Sequence, residues 1–181
     1  MPFILKAIDD TTAYEQYESV LIIPCRFCPA ASAAVKNHEP YFEVFRRFLK
    51  TGAYESFIRR LKLELEHKGV RVGVFRSRWI HQFVLCMWTS RRRAALRRQA
   101  LKYDALVVLG CEAAVQTVRD AVNPAPCEIL QGVETEGIMS VQPRLGLPCN
   151  LTLELESVSK YEYLDTTPSR SVDSVTSRVG A

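Results

Sequence analysis

Cysteine is the residue type in this sequence whose spacing most clearly points to chemistry. Cys25 and Cys28 form a Cys-x-x-Cys motif directly after an apolar run, and the two intervening residues allow both sulfurs to contact one metal ion. Cys111 directly follows another apolar run, and Cys86 lies in the segment before it. The sequence therefore predicts a four-thiolate site for zinc or an iron–sulfur cluster. Its ligands are Cys25, Cys28, Cys86 and Cys111.

Two other interpretations of the cysteines are open from the sequence alone. A Cys-x-x-Cys motif near a βαβ unit is also typical of a dithiol redox pair. Cysteines at strand ends also occur as small buried hydrophobic residues. Cys127 and Cys149 are predicted to be structural, with Cys149 as the reserve fourth ligand. An enzyme that uses a low-pKa thiol at Cys111 ranks last, because no general base or orienting carboxylate is identifiable.

The composition is that of one globular domain. The chain has 181 residues, of which 48% are hydrophobic and 24% charged, and this excludes a disordered or collagen-like protein. No run approaches the ~18 apolar residues of a membrane-spanning helix, and the first residues do not resemble a signal peptide. We therefore expect a cytoplasmic protein without a membrane, where clustered thiols bind metal more often than they form structural disulfides.

Apolar runs and amphipathic segments alternate along the chain. Continuous apolar runs, typical of buried parallel strands, occur at residues 20–24, 70–75 and 105–110. Further strands are predicted at 128–133 and 151–158, the latter with alternating leucines. Helical patterns occur at 40–49, 54–65, 79–101 and 111–122.

This order predicts a doubly wound α/β fold with a mainly parallel sheet of about five strands and an edge strand near the carboxyl terminus. The domain is expected over residues 1–165, followed by a disordered Ser/Thr-rich tail over 166–181. In the strand order 2-1-3-4, the order reverses between the first and third strands, which is where such sheets bind ligands. Both strands run directly into cysteine.

Positive charge is concentrated in one part of the sequence. From Lys68 to Lys102 there are ten basic residues and no Asp or Glu, so all 20 acidic residues lie elsewhere. The arginines between Arg91 and Arg98 are expected to form a docking surface for an acidic partner. The alternative function is nucleic-acid binding, in which these arginines contact phosphates while Trp79 and Trp88 stack on bases.

The segment at 109–118, Leu-Gly-Cys-Glu-Ala-Ala-Val-Gln-Thr-Val, resembles a stretch of the small cysteine-bearing companion subunit of bacterial methylenetetrahydrofolate reductase. That family also places a cysteine pair after its first strand, as at 20–28 here, and the likeness spans 20–122. The resemblance implies a zinc or iron–sulfur site beside a flavin-bearing reductase of one-carbon metabolism. We therefore predict a cytoplasmic metal-binding accessory subunit of a larger redox enzyme, with catalysis by this chain itself left open.

Overall fold

The computed structural model describes residues 2–8, 11–43, 50–76, 83–124, 127–146 and 149–160. Within these residues the chain forms two four-stranded sheets. The strands are β1 (Phe3–Ala7), β2 (Ser19–Pro24), β3 (Phe42–Glu43), β4 (Arg71–Val74), β5 (Ala105–Leu109), β6 (Glu128–Gln131), β7 (Val133–Gly146) and β8 (Asn150–Lys160). The helices are α1 (Thr12–Glu15), α2 (Cys28–Asn37), α3 (Gly52–His67), α4 (Ser90–Ala100) and α5 (Glu112–Val122), with a 3₁₀ turn at Leu85–Met87.

The first sheet is parallel and has the order β4-β2-β5-β6. All residues of β2 and β5 are buried, which explains why both sequences are continuously apolar. Their register pairs Val20 with Ala105 and Pro24 with Leu109. The predicted parallel α/β sheet and its 2-1-3-4 order are therefore confirmed, and the order reverses between β2 and β5.

The prediction of about five strands with an edge strand near the carboxyl terminus matches only roughly. The strand expected at 151–158 is β8, and it belongs to a second, antiparallel sheet of order β1-β7-β8-β3. The strand expected at 128–133 is divided at Gly132, where the chain passes from β6 into β7. A Cβ at Gly132 would lie 2.6 Å from Cδ2 of Leu109, so the close packing at this passage requires glycine.

Two predicted helices are also corrected. From residue 83 onward, where the structure describes this segment, the helix expected over 79–101 begins at Ser90, and the side chain of Thr89 caps it by accepting a hydrogen bond from the backbone N–H of Arg92 at 3.4 Å. At 40–49, Phe42 and Glu43 form β3, which pairs with β8. Residues 44–49, 77–82 and the tail expected over 166–181 lie outside the described residues.

Helix α2 connects the two sheets. Its inner face consists of Ala30, Ala31 and Ala34, which are almost completely buried and permit a close approach. Ser32 on the same helix accepts a hydrogen bond from the N–H of Leu5 at 2.9 Å and donates one to the carbonyl of Phe3 at 3.0 Å. The buried residues of both sheets form one hydrophobic cluster. Among the described helices, none combines the length and apolar character that crossing a membrane requires.

One carboxylate stabilises the start of β2 beside the start of β5. Oδ2 of Asp104 accepts hydrogen bonds from the backbone N–H and the hydroxyl of Ser19, at 2.9 and 2.7 Å, and Ser19 is 2% exposed. The substitution Asp104→Ala should lower the free energy of unfolding by about 1–3 kcal/mol, because it leaves buried donors unpaired. Asp120→Ala, at an exposed position of α5, should change it by less than about 0.5 kcal/mol. Equal urea midpoints for the two variants would contradict this account.

Candidate functional site

Cys25 lies beside Gly110, the residue before Cys111, where β2 and β5 end. The N–H of Cys25 donates to the carbonyl of Leu109 at 2.9 Å, which continues the pairing of the strands by one residue. Gly110 precedes Cys111, and a Cβ there would lie 3.2 Å from Cβ of Cys25 and 2.6 Å from Cβ of Ala114. A glycine between the two ends therefore allows the cysteine backbones to approach closely.

Two helices begin at the same cysteines. Cys28 is the first residue of α2, and Cys111 immediately precedes α5, where its carbonyl accepts from the N–H groups of Ala114 and Val115 at 2.8 and 3.1 Å. In the described structure, no side chain caps either amino terminus. The uncapped N–H groups give both ends a partial positive charge, which favours a thiolate or another anion.

The thiols interact electrostatically. Burial, with smaller contributions from the neighbouring Cys28 and Cys111 thiols, raises the pKa of the Cys25 thiol to about 12, although backbone hydrogen bonds from Leu85 and Phe27 act in the opposite direction. The pKa of Cys28 is also raised, first by burial and then by the charges of Cys111 and Cys86. Cys28 and Cys111 thus act on Cys25, and the charge of Cys86, in the 3₁₀ turn, acts on Cys28.

These thiols do not form a closed ligand set as they stand. Within the described ranges, no three His, Cys, Asp or Glu side chains are arranged so that they could hold a metal ion. The thiol of Cys25 instead donates to the carbonyl of Phe83 at 3.7 Å. Cys86 is exposed, Cys127 is half-buried at the entry to β6, and Cys149 is exposed in the turn between β7 and β8. The four-thiolate site therefore stays a prediction.

Two tyrosines near the thiols did not stand out in the sequence. Tyr41 is 5% exposed, and its hydroxyl has no hydrogen-bond partner in the described part of the chain. Burial raises its pKa, and the nearby Cys25 and Cys28 thiols raise it further. The hydroxyl of Tyr54, on α3, donates to the carbonyl of Leu109 at 3.2 Å. In the sequence, Tyr54 is part of the apolar face of an amphipathic helix, and such a face by itself indicates only packing against the core.

Arg26, inside the Cys-x-x-Cys motif, is buried with 6% exposure. Its Nε donates to Oε1 of Glu55 at 2.6 Å, and its Nη2 lies 3.5 Å from Oε2 of the same carboxylate. The pair joins the motif to α3 across 29 positions of sequence, so only the folded chain reveals it.

Comparison with family models finds no match to this sequence, and comparisons with curated proteins and with solved structures find none either.

The burial of Cys25 predicts how its reactivity depends on pH. With a pKa of about 12, roughly one Cys25 in ten thousand is thiolate at pH 8, so iodoacetamide should modify it far more slowly than exposed Cys149. Its rate should still increase about tenfold per pH unit up to pH 10, because the thiolate fraction grows tenfold. Peptide mass spectrometry of metal-free protein measures both rates. A Cys25 rate that levels off below pH 9 would contradict the assignment.

Proposed function

We propose that this chain is a metal- or iron–sulfur-binding accessory protein that uses the cysteines at the carboxyl edge of its parallel sheet. The observation that carries the proposal is the pairing of β2 with β5. It brings Cys25, Cys28 and Cys111 within electrostatic reach of one another, although up to 86 positions separate them in sequence. Three interacting thiols beside two helix amino termini are the donor type that zinc and iron–sulfur clusters take.

Metal binding would compensate the repulsion between neighbouring thiolates at this edge of the sheet. Each thiol is buried or half-buried and disfavours ionisation of its neighbour, so three lone thiolates are unstable there. A bound cation supports deprotonated ligands, and its binding free energy adds to the stability of the fold. Cys86 is the proposed fourth ligand because its charge acts on Cys28, whereas no such influence of Cys149 on these thiols is seen in the described residues.

The proposed role is to support a larger redox enzyme rather than to convert a substrate alone. No His, Asp or Glu is hydrogen-bonded to the clustered thiols in the described structure, so a thiol nucleophile lacks the base it needs. The resemblance at 109–118 points to a methylenetetrahydrofolate reductase of one-carbon metabolism as the partner.

Nucleic-acid binding is the second candidate, and one observation favours it. Arg91, Arg97 and Arg98 are exposed along α4 and could contact phosphates. Trp88, however, is 5% exposed and packs against Phe75 with ring centroids 5.3 Å apart. It is therefore not available for base stacking, and Trp79 lies outside the described residues.

Cysteine substitutions test the metal site directly. In protein purified without oxygen, Cys25→Ser, Cys28→Ser and Cys111→Ser should each lower the zinc or iron content severalfold and lower the melting temperature, because a ligand is lost. Cys127→Ser should leave both the metal content and the melting temperature unchanged. Elemental analysis gives the metal, and an absorption spectrum separates a brown iron–sulfur protein from a colourless zinc protein. Comparing Cys86→Ser with Cys149→Ser identifies the fourth ligand. Unchanged metal content in Cys25→Ser would overturn the proposal.

Salt dependence tests nucleic-acid binding. If α4 contacts phosphates, the logarithm of the binding constant for duplex DNA or RNA should decrease linearly with the logarithm of salt concentration. Replacing Arg91, Arg97 and Arg98 with Glu should abolish the binding, while Arg59→Glu, at an exposed position of α3, should have a small effect. Fluorescence anisotropy at several salt concentrations measures the binding constants of the unmodified protein and of both variants. Absent or salt-insensitive binding removes this candidate.

A further inference from the structure

Helix α2 packs against both α3 and β1, and a cavity of about 310 Å³ lies where the three elements meet. The residues with which the two helices line this cavity include small ones, Ser32, Ala33 and Ala53, which do not fill the space between the helices. The buried side chains of Leu5 and Val133 also line it. The volume is at the lower end of the range of roughly 300–1,000 Å³ that small-molecule sites occupy. The cavity therefore has the size of a site for a small ligand.

One wall of the cavity is aromatic and already ordered. The rings of Tyr54 and Phe57, both on α3, lie 6.3 Å apart between centroids, with an interplanar angle of 20°. Tyr54 is 2% exposed, and its hydroxyl donates to the carbonyl of Leu109 at 3.2 Å, which holds the ring in place. Such a wall favours a ligand with a flat apolar body, because little side-chain freedom is lost when the ligand binds.

The entrance of the cavity is charged. Lys36, Glu39 and Arg60 line the cavity and are exposed to solvent. Nζ of Lys36 lies 2.8 Å from Oε2 of Glu136 and donates to the carbonyl of Leu5 at 3.0 Å. The positive charge of Lys36 is therefore balanced within the protein.

The guanidinium of Arg60 has no such partner. It forms no hydrogen bond or ion pair with the residues that the structure describes, and its Cζ lies 6.0 Å from the ring centroid of Phe57. Glu64, one turn further along α3, instead accepts from the hydroxyl of Thr11 at 2.8 Å and lies 3.5 Å from Nζ of Lys68. Arg60 thus offers a guanidinium beside the aromatic wall, and a carboxylate is the group that such a guanidinium binds with good geometry.

We propose that this cavity binds a small planar organic acid that carries a single negative charge. The carboxylate of the ligand accepts from the guanidinium of Arg60, and its flat body packs against Tyr54 and Phe57. The carboxylate of Glu39, at the same entrance, disfavours a second negative charge, so a dianion such as inorganic phosphate binds less well. The site requires neither the thiols nor a metal, because no cysteine lines it.

The test titrates benzoate, as the probe, into the full-length protein at constant ionic strength. We expect saturable shifts of the backbone amide signals of Ala33 and Ala53 in NMR spectra. Acetate lacks the flat body and benzyl alcohol lacks the charge, so each should bind roughly tenfold more weakly than benzoate, or weaker still. The proposal is wrong if benzoate does not approach saturation by about 10 mM. It is equally wrong if acetate, benzyl alcohol or phosphate binds as tightly.

Paired variants separate this site from general effects of charge. Arg60→Met keeps an apolar stem but removes the charge, and it should weaken benzoate binding roughly tenfold. Arg59→Met, at the preceding exposed position of α3 and outside the cavity lining, should bind as the unmodified protein does. Ala33→Leu places a larger side chain in the cavity and should abolish binding, whereas Ala94→Leu, at an exposed position of α4, should not. Equal losses in a variant and its control would overturn the proposal.

Metal content and melting temperature are measured in every variant. Arg60→Met should leave the metal content unchanged, since no cysteine lines the cavity. A failed metal site and a failed organic-acid site therefore give different results.

Discussion

Backbone hydrogen bonds between β2 and β5 hold two fully buried strands side by side, and every part of the candidate site is positioned relative to that pair. The strands end at the same level, with Pro24 opposite Leu109, so the residues that follow them emerge next to each other. After β2 the chain passes through α2 to β3 of the second sheet, whereas after β5 it passes through α5 to β6 of the same sheet. The two chains thus diverge beyond the junction, where both helices begin at cysteines.

The end of β2 combines groups with opposite electrostatic effects. Burial disfavours a charge on Cys25, whereas the amino termini of α2 and α5 favour negative charge nearby. Arg26, between the two cysteines of the motif, is paired with Glu55. A metal ion bound there, as proposed, would supply the positive charge that deprotonated thiols require.

The sequence alone was sufficient to predict the strands in which every residue is buried. Residues 20–24 and 105–110 are apolar at every position because both faces of those strands are covered, so their type and parallel pairing were predictable. The second sheet was missed because β7 carries a mixed pattern: Val133 and Met139 are buried while its later residues are exposed. The Arg26–Glu55 contact and the cation–π contact of Arg92 with Phe75 join segments that are distant in sequence. No local pattern encodes such pairs, since each residue alone is typical of a solvated surface.

The passage at Gly132 has a mechanical consequence. One residue separates the last strand of the parallel sheet from the long hairpin of the antiparallel sheet, and that residue donates to the carbonyl of Val108 at 2.9 Å while it packs on Leu109. No loop lies between the hairpin and the parallel sheet at this point. A side chain introduced at Gly132 would therefore displace either β7 or Leu109, and Leu109 lies two residues before Cys111.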